Sequence, residues 1–202
     1  MTPSLTSQHL RGAAASTLIS AIFAFAWGVN GSLALSGGWR VVAAAVIVLV
    51  TLALAAVSVT FYRKAAQFPS SSGAPPVSPS RTTAYRVSVV AMLIAIPVAS
   101  RVLTLSGHGD AIMPAVVMIV GLHFFGLVPA FRSGTFAWVA GAFCLLGLAA
   151  LFVPVQVGEA GTPQLRYAAL GLGCALTLWL GVTPIVSKTF GQLADNPKKE
   201  PR

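Results

Sequence analysis

The chain has 202 residues, 56% of them hydrophobic and only 8% charged, with a formal net charge of +9. A soluble domain carries roughly a quarter charged residues, and thirteen Lys and Arg with four Asp and Glu cannot cover the outside of a fold this size. A water-soluble globule is excluded, and the basic residues, confined to short stretches between apolar runs, read as neighbours of anionic headgroups and not as a nucleic-acid surface.

In chain order, six apolar segments are expected to be membrane-spanning helices. Each is near the roughly 20 residues that cross about 30 Å of hydrocarbon, and none alternates in polarity as a barrel strand would. The first, 13–35, follows Arg11 and carries Asn30 and the small-residue stripe Ala24, Gly28 and Ser32, which favours close helix packing. Its Ala24-Phe25-Ala26 is reminiscent of a signal-peptide cleavage site, but the apolar run continues to Leu35, so it reads as a span. A tight Ser36-Gly37-Gly38-Trp39 turn leads to the second, 41–62. Residues 67–83, rich in Ser and Pro, are expected to form a disordered loop.

The third segment, 87–105, holds Pro97 and ends near Arg101. A short loop with His108 and Asp110 precedes the fourth, 112–131, which places His123 near its middle. The fifth is 136–157, and the sixth, 167–186, contains Pro184. Residues 1–190 thus read as one all-α, polytopic transmembrane bundle, with 191–202 a flexible tail.

Orientation follows from the cations. With the N-terminus inside, Arg11, Arg63, Lys64, Arg81, Arg86, Arg132, Lys188, Lys198, Lys199 and Arg202 face the cytoplasm, and only Arg40, Arg101 and Arg166 face away. The expectation is a multi-pass inner (plasma) membrane protein with both termini cytoplasmic.

Six helices divide into two sets of three, which then run in opposite orientation. Pro97-Val98-Ala99-Ser100-Arg101 matches Pro184-Ile185-Val186-Ser187-Lys188, and Gly28-Val29-Asn30 matches Gly121-Leu122-His123, in the same order. A 3+3 inverted repeat is therefore a candidate architecture.

Polar groups within the bilayer are costly, so each is a functional candidate. Neutral His123 donates and accepts hydrogen bonds and suits a ligand contact or a proton pathway, or else a bond to a neighbouring helix. Asn30 is its counterpart. Pro97 and Pro184 each free a backbone carbonyl four residues earlier. Arg101, His108 and Asp110 form a candidate charge cluster outside the membrane, with an Arg101–Asp110 ion pair as its plainest form. Cys144 and Cys174 lie inside helices, and neither a metal nor a cofactor is expected. No G-x-S-x-G, H-E-x-x-H or phosphate loop occurs, and no pair of acidic residues lies within a span, so an enzyme is not expected.

The stretch Gly121-Leu122-His123-Phe124-Phe125-Gly126-Leu127-Val128-Pro129-Ala130-Phe131-Arg132 resembles a G-L-H-F-x-P-L-A pattern of small bacterial multi-helix membrane proteins without known activity. It departs at Gly126, where the pattern has proline. The resemblance implies a prokaryotic inner membrane and six helices, and it transfers no chemistry.

The leading expectation is a small transporter or channel-like protein in which Asn30 and His123 face each other near mid-membrane, with Pro97 and Pro184 nearby, and a small solute or proton as ligand. The competing expectation is a membrane scaffold or accessory subunit that joins a homo-oligomer or a membrane partner and moves nothing. A water-filled cavity reaching both residues separates the first from the second.

Overall fold

A computed structural model describes residues 5–69, 79–131, 133–153 and 164–195. Among the described residues six α-helices make up the fold: α1 (Ser7–Leu33), α2 (Gly37–Ala65), α3 (Pro79–Leu105), α4 (Ile112–Phe131), α5 (Gly134–Leu151) and α6 (Leu165–Ala194). A 3₁₀ turn, Gly109–Ala111, precedes α4, and no strand occurs among the described residues. All six helices are long and apolar enough to cross a membrane. The chain is thus a multi-pass integral membrane protein by fold.

Several helices outrun their apolar segments. α1 starts at Ser7 because the Thr6 side chain accepts a hydrogen bond from the His9 N–H, 3.3 Å away, and caps the first turn. α3 begins at Pro79, so the last residues of the stretch read as a disordered loop are helical. Proline suits a first helical turn because its missing N–H would have no partner there. Residues 70–78 of that loop lie outside the described residues, as do 154–163, Arg132 and the tail from 196. α5 stops at Leu151, short of the expected 157. Pro154 disfavours helical backbone just before it.

α3 ends in a Schellman motif: Gly107 N–H donates to Thr104 O at 3.2 Å and His108 N–H to Leu103 O at 2.8 Å. Gly107 has φ +77°, where a side chain would be strained.

The helices pack as two interlocked triads. α1 lies between α2 and α6, and α4 lies between α3 and α5. α5 and, more slightly, α4 join α6 across the middle. At this seam Phe143 of α5 is fully buried, edge-on to Trp27 of α1 and Phe124 of α4 at centroid distances of 6.2 and 5.7 Å. Ala24, Val117, Leu170 and Cys174 complete the same cluster. α2 and α3 lie on opposite flanks, and α3 has none of its spanning window buried.

The small-residue stripe on α1 serves the bundle. Ala24, Gly28 and Ser32 are all buried, and Gly28 admits Ile47 of α2. Ser58 of α2 donates to the Ala14 carbonyl at 2.8 Å, an interhelical hydrogen bond in a buried setting.

The bundle has two ends. Leu5 and Leu10 meet Ala65, Phe68 and Leu193 at the terminal face. The α1–α2 turn, the 3₁₀ turn and the start of α6 form the opposite, loop face, where Gln164 N–H donates to Ala34 O at 3.0 Å.

Candidate functional site

His123 does not line the cleft that Asn30 lines. It belongs to the joint between α3 and α4, where Ser88 Oγ lies 3.0 Å from His123 Nδ1 and donates to the His123 carbonyl at 2.8 Å. Ser88 Oγ thus bridges the ring and the backbone of His123.

Gly126 is what lets Ser88 come so close. A Cβ there would collide with Ser88 Oγ and lie 2.8 Å from Ser88 Cβ. The pair superficially has the composition of a nucleophile and base. Yet Ser88 is spent on α4's own backbone, which is the geometry of helix joining. Ser88→Ala is expected to destabilise the bundle by about 1 kcal/mol, and Gly126→Val by about 2 kcal/mol or more. Equilibrium unfolding in mixed detergent micelles measures both. A Gly126→Val protein as stable as the wild type would refute the joint.

Asn30 lies elsewhere. Its Nδ2 donates to the Ala26 carbonyl at 2.9 Å, and it lines a cleft of about 420 Å³ at the loop face. Arg40 of α2, Met113 of α4, and Gln164 and Tyr167 of α6 share that cleft with the end of α1. Met113 and His123 stand ten residues apart on one helix, about 15 Å along its axis. The structure therefore does not bring Asn30 and His123 together, and the expected shared mid-membrane site is not formed.

Pro97 and Pro184 do not supply it either. Both are exposed, as are Leu93 and Leu180, whose carbonyls the prolines leave unpaired. The freed carbonyls thus lie on outward-facing turns and away from the cleft.

The cluster of Arg101, His108 and Asp110 also separates. Arg101 is exposed on the flanking helix α3. His108 belongs to the cap of α3, its ring 3.3 Å from Ser106 Oγ. Asp110 pairs instead with Arg166, Nη1 to Oδ2 at 3.1 Å. Arg166 also reaches the Asp110 carbonyl at 3.3 Å and the Val153 carbonyl at 2.7 Å, tying the ends of α4, α5 and α6 together. Arg101 is nearer to Asp110 in sequence, but α6 starts beside the 3₁₀ turn, and its cation is already in place.

Four residues now matter that the sequence reading used only for orientation or not at all: Ser88, Arg40, Gln164 and Tyr167. Arg40 was the most legible of them, as a cation directly after a glycine turn. Its Nε and Nη2 donate to Leu35 O at 2.8 Å and Leu33 O at 3.1 Å, closing the end of α1.

Among the described residues, no three His, Cys, Asp or Glu side chains gather as a metal site would need. Cys144 packs into the α4–α5 contact, its Sγ 3.8 Å from the Met118 carbonyl, and Cys174 is fully buried.

Fold and site together define a polytopic helical membrane protein with a polar cleft at one face. No family model, curated protein or solved structure matches the chain.

Proposed function

We propose that the chain is a membrane scaffold or accessory subunit, seated in a prokaryotic inner membrane with both termini cytoplasmic. The observation that carries this reading is the engagement of His123 with Ser88 inside the α3–α4 joint, away from the cleft at Asn30. A mid-membrane polar residue committed to holding two helices together leaves no site there for a solute.

A transporter is the second reading, and one observation favours it. α1 lies between α2 and α6 as α4 lies between α5 and α3, which is the pairing that a 3+3 inverted repeat with exchanged third helices would produce. The exchange is incomplete, because α5 packs on α6 while no comparable packing of α2 on α3 occurs among the described residues.

Cysteine accessibility tests the choice, with Cys144 and Cys174 replaced by Ala. In sealed vesicles of both orientations, Asn30→Cys is expected to react with a membrane-impermeant thiol reagent from the loop face, and His123→Cys from neither side. Reaction at position 123 from water would return the transport reading. Cross-linking in native membranes tests the accessory role directly. Recovery of a fixed assembly supports it, and recovery of the monomer alone counts against it.

A further inference from the structure

The loop-face cleft is open, polar and supplied by four helices, and it goes beyond the scaffold reading. Its volume of about 420 Å³ is that of a small-ligand site. Among its described lining residues Arg40 is the only charged one, and none of them is a carboxylate. The nearby cation Arg166 is already matched by Asp110.

Arg40 is also held in place. Two of its N–H groups are fixed on the Leu33 and Leu35 carbonyls, while Nη1 makes no hydrogen bond among the described residues. A guanidinium already positioned loses little freedom on meeting an anion. Asn30, Gln164 and Tyr167 line the same cleft and carry two amides and a hydroxyl. The Gln164 and Tyr167 side chains have no hydrogen-bond partner among the described residues, and Asn30 uses only Nδ2. A cation, two amides and a hydroxyl form a donor set for an oxyanion.

We infer that this cleft binds the phosphate or carboxylate group of an anionic ligand, with Arg40 as its charge partner and Gln164, Tyr167 and Asn30 as hydrogen-bonding neighbours. Such an oxyanion belongs either to a lipid headgroup or to a small free solute. Met113 and Leu33 give the cleft an apolar side that suits the rest of either molecule.

Native mass spectrometry of the full chain with phosphatidylglycerol, and separately with phosphatidylcholine, tests the inference. The wild type is expected to retain phosphatidylglycerol preferentially. Arg40→Gln should reduce that retention about tenfold or more, and Tyr167→Phe about threefold. Competition with sn-glycerol phosphate distinguishes the sources: displacement identifies a free solute as ligand, and persistence identifies a lipid headgroup, either of which supports the site. Because Arg40 also closes α1, its loss can disturb folding. Tyr167→Phe and Gln164→Leu, which break no hydrogen bond seen here, then decide the matter. Equal retention of phosphatidylglycerol by the wild type and these variants overturns the inference.

Discussion

Gly171→Val is expected to be among the most damaging single substitutions in the bundle, weakening it by about 3 kcal/mol or more. Here α1 and α6 touch backbone to backbone. A Cβ on Gly171 would lie 2.5 Å from Gly31 Cα and 2.6 Å from the Trp27 carbonyl oxygen. A Cβ on Gly31 would meet Leu172 N at 2.6 Å. Neither obstacle is the end of a flexible side chain, so only separation of the helices can relieve it. Lipid makes that separation hard to compensate, since close packing is a main source of helix association in a bilayer. Gly191 supplies the control, because nothing lies within 4 Å of a Cβ there. Gly191→Ala is expected to stabilise α6 by about 0.5–1 kcal/mol through helix propensity. Detergent unfolding curves compare the two, and a Gly171→Val midpoint equal to the wild type's would show that the helices do not meet at this point.

The second large effect is expected at the Asp110–Arg166 pair, and it should be asymmetric. The Arg166 side chain is only 7% exposed, whereas that of Asp110 is 55% exposed. Asp110→Asn leaves a guanidinium in a nearly dry place without its counter-charge. Arg166→Met leaves a carboxylate that water still reaches, but it also removes the bonds to the Val153 and Asp110 carbonyls. Breaking a fully buried pair costs roughly 3–5 kcal/mol. Because Asp110 is half in water, about 2 kcal/mol is expected for Asp110→Asn, and about 3 kcal/mol for Arg166→Met with its further hydrogen bonds lost. The double variant should cost less than the sum of the two, since removing the cation also removes the reason the anion was needed. Additive losses would refute this account.

The existence of the six helices was legible because the bilayer imposes a length on apolar segments, and each segment met it. Their ends were less so. Polar first and last turns such as Ser7–Gly12 and Lys188–Ala194 add nothing to an apolar run, yet helical backbone continues through them. The site was harder still. Asn30 and His123 were correctly singled out as polar residues in apolar helices. Nothing in the pattern said which way they turn, because a helix apolar on every side has no marked face. Ser88 was invisible for a related reason: serine is common in such helices, and only the approach of Gly126 gives this one its role. Asp110 was assigned to Arg101 by nearness along the chain, while the fold put α3 on a flank and α6 alongside.

The interlocked triads also constrain how the protein is made. α3, α4 and α5 are consecutive, so their packing can close as soon as the third of them leaves the translocation machinery. α1 and α2 precede them in the chain, but the Gly31 face of α1 lacks its α6 partner until α6, which follows α5, has been made. The α1–α2 hairpin must therefore wait in lipid with its Gly31 surface uncovered. α6 then closes one triad and joins it to the other.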